Sequence, residues 1–124
     1  MLSPNEVVKA KKAIERLYDR KCTIYENKSF QKENGTTGQR WEVVAENIPC
    51  RISFSQIASA TIGEKAASVS QVIKLFLSPE IIVKAGSRVK VIKDTWIDYF
   101  EAAGVPAVYD SHQEVMLVLA KRWA

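Results

Sequence analysis

Short strand-forming segments separated by turn residues are the feature of this sequence that most limits its possible folds. In residues 48–54 apolar positions alternate with others: Ile48, Cys50, Ile52 and Phe54 are separated by Pro49, Arg51 and Ser53. Such a period-two pattern is typical of a strand with one buried face. Turn signals recur roughly every 8–12 residues, the spacing of a sandwich or barrel. We therefore predict a mainly β protein, a small β-barrel of about six to eight short strands over residues 22–120.

The last predicted strand, residues 114–120, is apolar on both faces. Val115, Leu117 and Leu119 lie on one face, and Met116, Val118 and Ala120 on the other. A strand of this kind needs cover on both sides. We expect one face to fill the barrel interior and the other to pack against a helix outside the barrel.

The N-terminal residues predict that helix, over residues 4–19. Ser3 can cap it, Pro4 suits its first position, and Glu6 completes an S-x-x-E capping box. The apolar stripe consists of Val7, Ala10, Ile14 and Leu17, and a different face carries Lys9, Lys12 and Arg16. This basic face is either solvated or directed at a partner, which would be an acidic protein surface or the phosphates of DNA.

The length and charge of the chain fit one soluble domain over residues 1–124. The chain has 124 residues and a net charge of +4, which suits a place near DNA or an acidic partner without requiring either. No apolar run approaches the ~20 residues that cross a bilayer. The N-terminus lacks the features of a signal peptide. We expect synthesis in the cytoplasm and no membrane partner.

No motif carries recognisable catalytic chemistry. The one histidine, His112, follows Asp110 and Ser111. Adjacent residues of a strand point to opposite faces, so we expect Ser111 not to meet His112 as nucleophile and base. We predict that the chain is not an enzyme and that His112 makes a backbone or carboxylate hydrogen bond.

Cofactor and metal sites are not predicted either. A structural zinc needs about four Cys or His ligands, whereas the chain offers Cys22, Cys50 and His112. We expect both thiols to be reduced and half-buried, with a disulfide possible only in an oxidising compartment. Residues 85–88 lack the glycine spacing and the Lys-Ser/Thr ending of a phosphate loop, and we expect a turn that leads into a strand.

One segment, residues 55–70, breaks the strand pattern. It is rich in serine and alanine and has one charge pair, Glu64 and Lys65. A loop of this length inside a compact domain is uncommon and is usually functional or disordered. We predict a long projecting loop, which is either functional or an ordinary mobile surface loop.

The second half of the chain resembles a known family. The residues that carry the resemblance are Ile73-Lys74-Leu75-Phe76-Leu77-Ser78-Pro79, then Ile82-Val83-Lys84-Ala85-Gly86-Ser87-Arg88-Val89, then Gly104-Val105-Pro106-Ala107-Val108-Tyr109-Asp110-Ser111-His112-Gln113-Glu114. In this order they are similar to head–tail connector proteins of tailed phages and prophages of Gram-positive bacteria, and most to their head-closure proteins. No single motif among them is catalytic.

The resemblance implies both a fold and a function. Such proteins are small β-barrels that assemble as a homo-oligomeric ring, a dodecamer, below the portal and its adaptor in the neck of the virion. They close the head over packaged double-stranded DNA and offer a docking surface to a tail terminator or tube protein. In head-closure members a long loop projects into the central channel and blocks DNA exit.

On this resemblance the segment 55–70 corresponds to the channel loop. The candidate channel residues are Gln56, Ile57, Ala58, Ser59, Ala60, Thr61, Ile62, Gly63, Glu64, Lys65, Ala66 and Ala67. Their small size permits close packing at a ring axis, and their few charges avoid gripping DNA phosphates. Candidate contacts between subunits are the apolar Phe30, Ile57, Ile62 and Trp123. The basic face of Lys9, Lys12 and Arg16 is a candidate partner surface.

Two other functions stay open. One is another ring of the same neck, an adaptor or a tail terminator; because adaptors are generally more helical, the single predicted helix favours head closure. The other is a β-barrel that binds single-stranded nucleic acid. That function needs exposed aromatic residues interleaved with basic ones, whereas Trp41, Tyr99, Phe100 and Tyr109 are scattered along the chain.

Overall fold

The computed structural model describes residues 3–59 and 68–120, in which one helix precedes six strands. The elements are α1 Pro4–Glu15, β1 Arg20–Gln31, β2 Thr37–Ser59, β3 Ser68–Leu77, β4 Arg88–Lys93, β5 Trp96–Val108 and β6 Gln113–Leu119. All neighbouring strands are antiparallel and close into a barrel in the order β1-β2-β3-β6-β5-β4. The predicted mainly β fold with one N-terminal helix is confirmed.

Alternate residues of the strands fill the barrel interior, as the period-two pattern predicts. In β4 the buried side chains are Val89 and Val91, and in β6 they are Val115 and Leu117. Phe100 of β5 is the largest of the fully buried side chains among the described residues. Burial of each large apolar side chain contributes about 1.5–3 kcal/mol, so this interior is the main source of the barrel's stability.

Irregularities in strand register lie inside the two long strands β2 and β5. Asn47, with φ 58°, lies where β2 has one residue more than β1, between the pairs Cys22↔Ile48 and Ile24↔Ala45. Gly104, with φ 73°, lies in a similar irregularity of β5. A bulge of this kind lets a strand keep its partner across an extra residue. The strand predicted over residues 48–54 is therefore part of the longer β2, and residues 102–106 lie within β5.

The N-terminal helix begins as predicted and ends earlier. The capping box is present, since the Ser3 side chain accepts from the Glu6 amide and the Glu6 side chain accepts from the Ser3 amide. After Glu15 the α-helix gives way to a tighter turn with an i→i−3 hydrogen bond, which the Leu17 amide donates to the Ile14 carbonyl. β1 then starts at Arg20. The predicted helix end at residue 19 is wrong, and Leu17 leaves the apolar stripe and is exposed.

The helix lies against the barrel loosely and leaves the outer face of β6 uncovered. Its stripe of Val7, Ala10 and Ile14 is half-buried, but no residue of α1 is fully buried. The prediction that it covers the second face of β6 is wrong, because Met116 and Val118 there remain 41% and 48% exposed. The end of the helix lies near Arg51 of β2, Phe76 of β3 and His112, which precedes β6, and leaves the exposed residues farther along β6 uncovered.

The predicted loop over residues 55–70 is wrong at both ends. β2 continues to Ser59 and β3 starts at Ser68, with pairs from Ser55↔Val72 to Ser59↔Ser68. Serine and alanine have weak strand preference, so the sequence did not mark these residues as strand; pairing with a partner strand overrides that preference. Residues 60–67 of the predicted loop lie outside the described residues.

Candidate functional site

The first candidate is a two-stranded ribbon, residues 55–59 of β2 and 68–72 of β3. In the described residues β1 pairs with β2 up to Arg20↔Cys50, and β6 pairs with β3 from Ile73↔Leu117. Beyond these points β2 and β3 are paired with each other. The ribbon therefore leaves the barrel wall and extends for roughly 15 Å at about 3.3 Å per residue.

The ribbon contains part of the predicted channel segment and carries no charge. Gln56, Ile57, Ala58 and Ser59 lie in its first strand, and the other candidate channel residues, 60–67, lie outside the described residues. Neither strand of the ribbon has a Lys, Arg, Asp or Glu. Its two outer edges present backbone groups that no strand of the described residues pairs, which is a surface suited to contact with another chain.

A second candidate is the cluster around His112, where the structure corrects the sequence argument. Ser111 Oγ lies 3.2 Å from His112 Nδ1, and His112 Nε2 lies 3.2 Å from Glu114 Oε2. Ser111 and His112 lie in the turn between β5 and β6 rather than in a strand. The alternation of faces that was expected to separate them therefore does not apply, and the predicted carboxylate partner of the histidine is present as Glu114.

The surroundings of His112 hold the ring in place. The His112 ring stacks on the Tyr109 ring with centroids 4.9 Å apart. The backbone carbonyl of His112 accepts a hydrogen bond from the Tyr109 amide at 2.8 Å. Glu114 also faces Lys74, whose Nζ is 3.5 Å from Glu114 Oε1. A serine, an imidazole and a carboxylate in a row can pass a proton. Here, however, the Glu114 carboxylate is shared with Lys74, and Ser111 and His112 belong to the turn between β5 and β6.

An apolar pocket of roughly 200 Å³ separates the end of α1 from the barrel. Its lining residues are Ile14, Leu17, Tyr18, Arg51, Phe76 and His112. The Tyr18 hydroxyl is buried and has no hydrogen-bond partner among the described residues. Burial, followed by electrostatic interaction with Glu15 and Cys50, raises the pKa of Tyr18 to about 12. The pocket shows how incompletely the helix is seated on its own barrel.

The remaining predicted sites are structural features. Cys22 and Cys50 are free and fully buried rather than half-buried, and hydrogen bonding with Cys50, then burial, raises the pKa of the Cys22 thiol. Over residues 3–59 and 68–120 there is no group of three His, Cys, Asp or Glu side chains that could hold a metal ion. Likewise, the described helix is not long and apolar enough to cross a membrane.

The segment 85–88 is the turn that the sequence predicts. Gly86 has φ 86°, which suits a glycine at the third position of a tight turn. The Gly86 amide donates to the Ala102 carbonyl and the Ser87 amide to the Lys84 carbonyl. These amides are therefore engaged within the protein and do not form a cradle for phosphate.

Four arginine side chains cover aromatic rings on the barrel surface. The guanidinium groups lie 4.1–5.7 Å from the ring centroids in the pairs Arg88 on Trp41, Arg20 on Trp96, Arg40 on Phe30 and Arg51 on Phe76. One face of each ring is thus occupied by a cation of the same chain, with a contribution of about 0.5–1 kcal/mol at exposed sites. An aromatic platform for stacked bases needs those faces free.

The surface predictions have mixed outcomes. Lys9, Lys12 and Arg16 are all exposed on the side of α1 that faces away from the barrel. Phe30 is half-buried beneath Arg40 rather than exposed. For Ile57 the structure describes the backbone alone, and Ile62 and Trp123 lie outside the described residues. The sequence did not single out the exposed face of β5 and β6, where Ile97, Tyr99, Met116 and Val118 lie.

Comparisons with known proteins find one similar structure and no sequence relatives. A scan against protein-family models finds no match, and a search of curated proteins finds none. A solved structure of the phage-like element PBSX protein xkdH from Bacillus subtilis is similar to this chain with a TM-score of 0.49 and 13% sequence identity. The similarity covers 81% of this chain and 92% of that chain.

Proposed function

We propose that this chain is a structural virion protein of the phage head–tail connector. It forms a ring below the portal and adaptor, closes the DNA-filled head and offers the tail its attachment surface. The observation that carries the proposal is the uncharged ribbon of β2 and β3, which leaves the wall of an otherwise closed barrel. The ordered motifs that resemble this family lie in the same chain, from Ile73 to Glu114.

The chemistry of the ribbon suits a channel that opens and closes around DNA. Double-stranded DNA carries about one negative charge per 1.7 Å of its axis, so lysines or arginines in a gate would hold it strongly. The ribbon has neither and no acidic residue, and the remaining candidate channel residues contain one pair of opposite charges, Glu64 and Lys65. Its serine and alanine residues let ribbons from several copies approach one another closely at a ring axis.

The proposal includes the absence of catalysis. The Ser111–His112–Glu114 row closes the turn between β5 and β6 and connects it to Lys74 of β3. We assign it a structural role, because each of its groups already has a partner in that turn. The arginine-covered aromatic rings favour this assembly function over a barrel that binds single-stranded nucleic acid.

Deletion of residues 58–67 in the gene tests the gate directly in the cells that produce the particles. We expect heads that package DNA and then lose it, measured as DNA content per particle with time. Mass spectrometry of the particles checks that the shortened chain is incorporated. Full retention of DNA by particles that contain the shortened chain would contradict a gate, and absence of the intact chain from particles would contradict a virion protein.

A further inference from the structure

We propose that copies of this chain join head to tail, with the outer face of β5 and β6 in one copy seated against the outer face of α1 in the next. The first surface, the sheet face, consists of Ile97, Tyr99, Met116 and Val118 around Glu101. The second, the helix face, consists of Lys9, Lys12 and Arg16 beside the exposed Val8, and the partly exposed Leu17 of the following turn lies at its border with the pocket. The inference rests on the proposed ring and names the surfaces that build it.

The two surfaces lie on different sides of the barrel. In the strand order β1-β2-β3-β6-β5-β4, β5 lies three places from β2, which is directly across the barrel, and β6, the other strand of the sheet face, lies between β5 and β3. The helix lies near β2 and β3, since Arg51 and Phe76 line the pocket beneath it. A ring of identical copies needs two different complementary surfaces placed in this way, because one self-complementary patch would close a dimer.

The helix needs cover that its own barrel does not supply. An isolated helix of fewer than about 12–15 residues is marginal in water, and most helices gain their stability from packing. α1 has 12 residues and none of them is buried. Its side away from the barrel exposes Val8 at 51%, and the following turn exposes Leu17 at 57%. A neighbouring copy would remove these side chains from water.

The charges of the two surfaces are complementary. Strands β5 and β6 contain Asp98, Glu101 and Glu114 and no Lys or Arg. On the sheet face Glu101 is exposed and pairs in register with Val118 of β6 on one side and with Arg88 of β4 on the other. The Arg88 guanidinium lies 4.1 Å from the centroid of the Trp41 ring. On the helix face three cations lie between Val8 and Leu17. Contact therefore places a carboxylate against basic groups and apolar side chains against apolar side chains, which fixes orientation as well as affinity.

Engineered cysteines test the contact, because both native thiols are buried. Val8→Cys and Val118→Cys change exposed residues outside the core. With both changes in one chain, we expect mild oxidation to give a ladder of disulfide-linked oligomers. Either change alone should give no cross-linked dimer, and a mixture of the two single variants should give one dimer band. The pair Val8→Cys with Lys28→Cys, on the exposed hairpin of β1, is the matched control and should stay monomeric.

Charge reversal gives a second readout, and imaging separates the two proposals. Glu101→Lys should abolish the ladder, and Lys12→Glu added to it should restore part of it. Dimers from a single-cysteine variant would show a two-fold contact and overturn the inference.

Rings in electron micrographs without the ladder would overturn these surfaces and leave the connector ring standing. The ladder without rings would overturn the ring and leave the contact standing, and the absence of both would overturn both.

Discussion

Lys11 Nζ lies 2.7 Å from Glu80 Oε1 and joins the N-terminal helix to the loop between β3 and β4. The hydrogen bond, followed by the charge of Lys11, lowers the pKa of the Glu80 carboxyl. The same bond raises the pKa of Lys11, against the opposing effect of burial. Exposed pairs contribute little to overall stability. We infer that this pair sets the position of the helix rather than the stability of the barrel.

Glu80→Gln should loosen the helix and leave the barrel unchanged. Because the folded-state pKa of Glu80 is lowered, its contribution is present above the unfolded pKa and is lost as pH falls through the folded one. Hydrogen exchange should therefore be faster in α1 of the variant at neutral pH, and the difference from the unmodified chain should vanish in acid. Glu33→Gln, at the exposed tip of the β1–β2 hairpin, is the control. Equal exchange of α1 in both variants would contradict the role of the pair.

Gln113 is a buried polar side chain that connects the start of β6 to the segment following β3. Its Nε2 donates to the carbonyl of Ser78 at 2.8 Å and to the carbonyl of Ile81. Gln113→Ala would leave both carbonyls without this donor, so we expect a loss of about 1–3 kcal/mol in the free energy of unfolding. Chemical denaturation measures it, with the exposed Gln39→Ala as control. A loss equal to that of Gln39→Ala would show that water replaces the amide.

Alkaline stability should depend on Tyr18. Its folded-state pKa is raised to about 12, first by burial and then by Glu15 and Cys50. Its contribution is therefore complete below the unfolded pKa of about 10 and is lost as pH rises toward the folded value. Because the hydroxyl has no partner in the described part of the chain, Tyr18→Phe should be as stable as the unmodified chain at neutral pH.

The comparison between pH 10 and pH 12 is the decisive one for Tyr18. Between these two pH values the denaturation midpoint of the Tyr18→Phe chain should fall less than that of the unmodified chain. Tyr109→Phe, which changes a half-exposed tyrosine, should follow the unmodified chain. If the denaturation midpoints of Tyr18→Phe and of the unmodified chain fall equally between pH 10 and pH 12, the burial of that hydroxyl does not control the alkaline transition.

The two cysteines should be unreactive until the barrel opens. Both are fully buried, and the pKa of Cys22 is raised by its hydrogen bond with Cys50 and by burial. Since the thiolate is the reactive form, a thiol reagent should label neither residue in the folded chain and both in denaturant. Val118→Cys provides an exposed thiol for comparison. Labelling of a native cysteine at the rate of that exposed thiol would contradict the packing.

The sequence predicted the features that depend on local pattern. The capping box of Ser3 and Glu6, the stripe of Val7, Ala10 and Ile14, and the inward residues of β6 follow from spacing alone. It did not predict contacts made by distant strands. The ribbon has few strand-forming residues, Ile57, Val69 and Val72 among serine, alanine and glutamine, and depends on pairing between β2 and β3. The contact of Ser111 with His112 depends on their place in the turn between β5 and β6, whereas the sequence argument treated them as neighbours in a strand.

Gly104 offers a test of how the long β5 strand is built. Its φ of 73° lies in the left-handed region, and a Cβ added there would meet nothing within 4 Å. The loss of stability in Gly104→Ala should therefore come from the backbone alone, roughly 1–2 kcal/mol. Gly104→Asn should lose less, because asparagine tolerates this conformation better than alanine.

Gly38 is the matched comparison, since crowding rather than backbone strain opposes a side chain there. A Cβ on Gly38 would lie 2.7–2.9 Å from side-chain atoms of Lys32 and Phe30. Gly38→Asn should therefore be no better than Gly38→Ala, the reverse of the order expected at Gly104. Denaturation midpoints of the four variants give both orders. If alanine and asparagine were equivalent at Gly104, the irregularity in β5 would not require the left-handed conformation, and the strand would be free to pair without it.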